Sequence, residues 1–371
     1  MKENVGGNLT NLMQQQNKLL EQQNKLLKQL VAERKDFDEY LLLPGEKIFV
    51  ENLFHDEIRD GFLVTAHRKR LWNIQLNLIV EFDRICKKHN LHWFAYSGTL
   101  LGAVRHKGFI PWDDDVDISM LRPDYEKFKS VVKAEIPEHY FVDGWHDYKL
   151  EEEEPNILQD KTCLQVVKRE QWQGGSIWWP FWPMIKLKDS RTTFIQYLDR
   201  PHVHQGIWID IFPFDPVPPF SNIQNKIAFE IERELLFAIA LPKVVREALK
   251  ENPPAIVLSA DEMEKFLKLR HTEKALTFEA FALKNFSHSE FVGDLRNFSL
   301  IKKQLAYKFK NFEKTVYLPF EKIEIPAPVG FEDCLTSAFG DWRKPVFYPS
   351  HAKVYSTDFS YKEFFKSVKF V

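Results

Sequence analysis

Two aspartates one residue apart, Asp115 and Asp117, alternate with apolar residues in the run Asp115-Val116-Asp117-Ile118. In an extended strand alternate side chains share a face, so the carboxylates point together while Val116 and Ile118 bury on the other side. Such a pair repels itself unless a divalent cation sits between its members, and an all-oxygen ligand set suits Mg²⁺ or Mn²⁺. Upstream, Ser97-Gly98-Thr99 stands where a strand hands over to a helix. Exposed backbone N–H groups and the helix dipole favour a phosphate there, and Gly98 permits its close approach. A phosphate site beside a metal site supplies the parts for in-line displacement at phosphorus.

The neighbours of this pair carry plainer readings as well. Asp113 and Asp114 serve equally well as the polar entrance to a strand. Asp113, Asp115 and Asp117 also occupy the first, third and fifth places of a calcium loop, but Ile118 stands where that loop requires glycine. Arg105, His106 and Lys107 are placed to neutralise donor phosphates, the alternative being a salt-bridged loop. His202 and His204 are read as surface residues. Trp178, Trp179 and Trp182 suit core packing first, the alternative being an aromatic cage for a quaternary ammonium head.

Positioning these groups requires a sheet. Leu71, Ile74, Leu78, Phe82 and Ile85 recur at helical spacing, predicting a helix from Arg70 to His89 that covers a sheet. A strand from Leu91 to Tyr96 then delivers the chain to Ser97. A short helix over Thr99–His106, a loop to Trp112 and a strand over Asp115–Met120 follow. Pro123 opens a further helix that buries Tyr125, Phe128, Val132 and Ile136. Gly206–Phe212 is a strand candidate before a proline-rich loop, and residues 222–315 read mainly as a helical insertion. Short strands around Val316–Ile325 and a helix ending near Gly340 complete the chain.

At the N-terminus, Gln15-Gln16-Asn17-Lys18-Leu19-Leu20 recurs seven residues later as Gln22-Gln23-Asn24-Lys25-Leu26-Leu27. Leu12, Leu19 and Leu26 then form one helical seam, and residues 1–40 read as a coiled coil able to pair two copies of the chain. The catalytic domain is expected over residues 60–371. With 44% apolar residues in 371, the chain can bury a full core. A formal charge of −2 carries no footprint of nucleic-acid binding. Cys86, Cys163 and Cys334 offer neither a disulfide framework nor zinc spacing, and no run is apolar enough for a membrane span or a secretory signal. The expectation is a cytoplasmic enzyme without a nucleic-acid partner.

The run from Ser97 to Ile118, with its small-residue turn, the segment Arg105-His106-Lys107-Gly108-Phe109-Ile110-Pro111-Trp112 and the D-x-D strand, resembles the signature of LicD/fukutin-type phosphotransferases. Similarity continues through Ile207-Trp208-Ile209-Asp210-Ile211-Phe212-Pro213, Met184-Ile185-Lys186-Leu187-Lys188-Asp189 and Phe339-Gly340-Asp341-Trp342. The resemblance implies an α/β (α+β) fold with a nucleotidyltransferase-like mixed sheet flanked by helices. It makes Asp210 the third metal-binding carboxylate beside Asp115 and Asp117, and places Lys186 with Ser97, Gly98, Thr99, Arg105 and Lys107 at the donor phosphates. It further implies Mg²⁺-dependent transfer of phosphocholine, or a phospho-alcohol such as ribitol phosphate, from a CDP-linked donor to a sugar of a cell-surface glycan such as lipopolysaccharide or capsule. The zinc-binding insertion of some animal members has no counterpart in the cysteine spacing. Two rival readings are a D-x-D glycosyltransferase, which would release UDP, and a non-catalytic coiled-coil scaffold, which would bind no nucleotide with Mg²⁺.

Overall fold

The computed structural model describes residues 42–144, 184–196, 203–217, 290–294, 306–347 and 354–367. The heptad segment, Cys163, the three clustered tryptophans, His202 and most of residues 222–315 lie outside the described residues. In chain order, the hairpin β1 (Glu57–Arg59) and β2 (Phe62–Val64) leads into α1 (Ala66–Lys88), β3 (Phe94–Ala95), α2 (Ser97–His106), β4 (Asp117–Leu121) and α3 (Arg122–Glu135). Then come β5 (Tyr140–Gly144), β6 (Ile185–Asp189), β7 (Thr193–Ile195), β8 (Trp208–Val217), β9 (Phe291–Gly293) and β10 (Tyr307–Lys308). A 3₁₀ turn at Phe309–Phe312, β11 (Thr315–Phe320), β12 (Ile323–Pro328), α4 (Phe331–Phe339), β13 (Val354–Ser356) and α5 (Tyr361–Ser367) complete the described order.

The protein is a mixed α/β structure built on a seven-stranded sheet, ordered β10-β9-β8-β4-β3, with β6 also on β8 and β5 on β6. Strand β8 is its spine. It runs parallel to β4 on one side and antiparallel to β6 and then β9 on the other. Residues 208–216 are all buried, as befits a strand covered on both faces. The proline-rich loop expected after Phe212 is the continuation of this strand: Pro213 pairs with Met120 and Pro216 with Val292. Likewise β9 and β10 are strands within a stretch read as mainly helical.

Helix α1 begins at Ala66, four residues before the expected start, because Thr65 caps it by accepting the Arg68 N–H at 3.2 Å. Its predicted stripe, Leu71, Ile74, Leu78, Phe82 and Ile85, is fully buried. At about 2 kcal/mol for each side chain, the stripe contributes roughly 10 kcal/mol of gross stabilisation before entropy is counted. The predicted strand at Leu91–Tyr96 shrinks to Phe94–Ala95, and β4 starts at Asp117 instead of Asp115, since only from there does the chain pair with β8. Helix α3 buries Tyr125, Phe128 and Val132 as its spacing predicts. Gly340, at φ 66°, ends α4.

Candidate active site

Parallel pairing of β4 with β8 sets Asp117 directly opposite Asp210, so two carboxylates far apart in sequence share one face at the start of adjacent strands. The opposite end of this strand pair is locked by a buried fork. Arg122 donates from Nε to Asp215 Oδ1 at 2.6 Å and from Nη2 to Oδ2 at 2.7 Å. The guanidinium charge draws the Asp215 carboxyl down, but full burial outweighs it and leaves that group above the ordinary carboxylate range.

Just before β4 lies an acidic group. Asp113, Asp114 and Asp115 each bring a ligand oxygen within 4.8 Å of the others. Burial first, then the charge of Asp115 and a hydrogen bond shared with it, then Asp117 and Asp114, push the Asp113 carboxyl well above its usual range. A cation among these carboxylates would oppose that shift. Carboxylate oxygens alone are the ligand type that Mg²⁺ takes, and three of them gathered this closely from consecutive residues are suited to share one ion. The residues present fit a hard divalent cation. The resemblance put Asp210 with Asp115 and Asp117; the geometry groups Asp113 and Asp114 with Asp115, and the charge of Asp117 acts on Asp113.

Asp210 is already neutralised. Lys186 on β6 donates to its Oδ1 at 2.5 Å, and the Trp208 indole donates to its Oδ2 at 3.0 Å. The same ammonium lies 4.3 Å from the Trp208 ring centroid. Lys186, expected at the donor phosphates, is thus the counter-ion of Asp210 in this structure. Lys188, two residues on, pairs with Asp143 and donates to the His204 carbonyl. His204 itself is buried. Its ring stacks 4.5 Å from Phe141, and burial pushes its pKa down to about 2, leaving a neutral packed ring.

The phosphate turn sits against the acids. Ser97 adopts φ 46°, a left-handed conformation unusual for serine, and opens α2. A Cβ on Gly98 would lie 2.7 Å from Asp113 Oδ2, so glycine is what lets the turn and the carboxylate approach. The buried Thr99 hydroxyl accepts the Asp117 N–H at 2.8 Å, tying α2 to β4. Arg105 donates to the Trp342 carbonyl at 3.0 Å, His106 pairs with Asp60 at 3.1 Å, and Lys107 is exposed at the left-handed end of α2. Burial and then Arg105 lower the His106 pKa.

Sequence reasoning missed the residues that hold the acidic loop. Arg68 and Trp72 donate to the Asp113 carbonyl at 2.8 and 2.9 Å, and Gln75 donates to the Asp114 carbonyl at 2.8 Å. They recur at positions 68, 72 and 75, one face of α1. Polar groups at helical spacing inside an otherwise buried helix were the available signal. Glu321, in the β11–β12 turn, accepts from Phe109 N at 3.2 Å and from Arg59 at 2.8 Å, while its own amide donates to the Lys107 carbonyl at 2.8 Å. The C-terminal hairpin thereby fixes the loop that leads to the acids.

The segment that carries these groups is similar to known proteins. The family described as LicD/FKTN/FKRP, nucleotidyltransferase domain, matches residues 90–226, which span α2, β4 and β8. The lipopolysaccharide cholinephosphotransferase LicD of Haemophilus influenzae is 27% identical over 271 residues, covering 72% of this chain and 88% of that protein. An uncharacterized protein of Rickettsia typhi is 26% identical over 183 residues, 43% of this chain and 56% of its own length. Another, from Rickettsia prowazekii, is 35% identical over 89 residues, 24% of this chain and 30% of its own. Among the described residues no helix is long and apolar enough to cross a membrane. With the signature loop, the acidic cluster and these likenesses together, residues 90–226 form a nucleotidyltransferase domain of the LicD/fukutin kind, and the chain is a phosphotransferase similar to LicD.

Proposed function

We propose that the chain transfers a phospho-alcohol, phosphocholine or a related group such as ribitol phosphate, from a CDP-linked donor to a sugar hydroxyl of a cell-surface glycan such as lipopolysaccharide. The observation that carries this reading is the convergence of Asp113, Asp114 and Asp115 beside the Gly98 turn, with Asp117 following on β4. The likeness to a lipopolysaccharide cholinephosphotransferase supports the transferred group and the acceptor class.

In this reading Asp113, Asp115 and Asp117 hold Mg²⁺ or Mn²⁺. When bound, the ion supplies charge neutralisation at the phosphorus and at the departing nucleotide phosphate. The first-turn amides of α2, at Ser97, Gly98 and Thr99, orient the phosphates, since the helix leaves them without intrahelical acceptors. Arg105 and Lys107 lie at the other end of α2 and contribute positive charge to the approach of an anionic donor. Asp210 holds Lys186 beside the paired strand ends. An incoming phosphate would compete with Asp210 for the Lys186 ammonium, and Asp210 would then be a further carboxylate able to hold the ion. We place the reaction in the cytoplasm; the buried, unpaired thiols of Cys86 and Cys334 suit a reducing compartment.

The test is the release of CMP from a panel of CDP-activated alcohols, with wild type and Asp115→Asn assayed side by side with and without Mg²⁺. CMP release that requires both Mg²⁺ and Asp115 is expected. Release of UDP from sugar nucleotides would replace this reading with glycosyl transfer, and absence of nucleotide binding would leave a non-catalytic protein.

A further inference from the structure

Next to the acidic loop lies a group of aromatic rings that the metal and phosphate chemistry does not use. Phe62, Trp112 and Phe347 meet pairwise, with centroids 6.1 Å apart for Phe62–Trp112 and 5.9 Å for each ring's distance to Phe347. Trp112 is buried and Phe62 half-buried, but Phe347 is 59% exposed, the most open of the large apolar residues in the described structure. A phenyl ring held against two aromatic neighbours with one face left to water offers an open face for stacking.

Its location ties it to the donor. Trp112 immediately precedes Asp113, and Arg68 touches both features: its guanidinium lies 5.7 Å from the Phe62 centroid and donates to the Asp113 carbonyl at 2.8 Å. The ring group thus adjoins the Asp113 loop along the chain and through Arg68. The charges select what can lie there. Arg68 already occupies a cation position at Phe62, and the half-buried Arg105 follows close by, hydrogen-bonded to His106, whose ring meets Trp112 edge-on at 6.2 Å. A quaternary ammonium would meet like charge, whereas a neutral planar ring attached to phosphates meets both a stacking surface and a positive rim.

We infer that Phe347, backed by Phe62 and Trp112, stacks against the base of the nucleotide donor and so contributes to donor specificity. The inference rests on the proposal above that the donor is a nucleotide. Binding of CMP, ribose 5-phosphate and phosphocholine is measured by calorimetry in Mg²⁺ for wild type, Phe347→Ala and Phe347→Tyr. Because Phe347 is largely exposed, thermal melting of both variants should match wild type. Phe347→Ala should weaken CMP about tenfold, the usual effect of removing one stacking partner, and leave ribose 5-phosphate and phosphocholine unchanged. Phe347→Tyr should bind CMP like wild type. Undiminished CMP binding by Phe347→Ala would overturn the stacking assignment alone, as would weakening of phosphocholine or an equal loss for CMP and ribose 5-phosphate. Failure of wild type to bind CMP at all would remove the nucleotide-donor reading and this inference with it.

Discussion

Replacing Gly98 with alanine sets a methyl group 2.7 Å from Asp113 Oδ2, where an unstrained contact needs about 3.5 Å. The carboxylate must retreat by about 0.8 Å, because the Asp113 backbone is held in place by Arg68 and Trp72. Turning the side chain roughly 30° from its rotamer costs about 0.5 to 1.5 kcal/mol. Alanine in place of glycine within a helix returns up to about 1 kcal/mol, and Gly98 has a backbone that alanine can adopt. Stability should therefore change by less than about 1 kcal/mol. Metal ligation tolerates only about 0.2 Å, so Asp113 would be lost from the ion's ligand set. The expected phenotype is an intact melting curve, Mn²⁺ affinity down at least about tenfold and turnover down about a hundredfold. Calorimetric Mn²⁺ titration, CMP release at saturating donor and thermal melting read these three quantities on one preparation. A Gly98→Ala protein with wild-type Mn²⁺ affinity and turnover would refute the idea that the turn exists to admit the Asp113 carboxylate.

Trp72→Phe keeps the ring stacked on Phe109 but removes the hydrogen bond to the Asp113 carbonyl. Mn²⁺ binding should weaken about tenfold at temperatures where the variant is fully folded, and unchanged affinity would show that Trp72 only packs. Arg122→Met leaves Asp215 buried without its cation and should cost about 3 to 5 kcal/mol in chemical denaturation; the double variant Arg122→Met/Asp215→Leu should recover most of that loss. His204 has a folded-state pKa of about 2, far below that of an exposed histidine, so the unfolded chain takes up the proton first. Stability from this residue is complete above pH ~6.5 and falls by about 1.4 kcal/mol per unit as pH drops below it. His204→Phe should therefore flatten the decline in melting temperature between pH 7 and 5.5, and an unaltered slope would assign the acid sensitivity elsewhere.

The residues of the site differ in how far the chain announces them. The alternation around Asp115 and Asp117, the stripe of α1, the turn at Ser97-Gly98 and the stop at Gly340 are local patterns, because helix and strand periods and backbone stereochemistry act over a few residues. From these, and from the length of the signature run, the resemblance to LicD/fukutin-type phosphotransferases and the α/β class it implies follow without coordinates. Proline misleads at the same range: Pro213 and Pro216 read as a loop, yet β8 carries both because its neighbours supply the pairing.

What faces what across the molecule was decided only by packing. The register that sets Asp117 opposite Asp210, the choice of Lys186 as the partner of Asp210, and the pressure of Asp113 on Gly98 each join segments that no periodicity relates. So does the support that Arg68, Trp72 and Gln75 give the acidic loop, and the ring cluster that Phe347 completes from near the other end of the chain. The physical reason is the same throughout: a side chain's type fixes what it can bind, while its partner is selected by the sheet register and core packing that minimise exposed apolar surface over the whole fold.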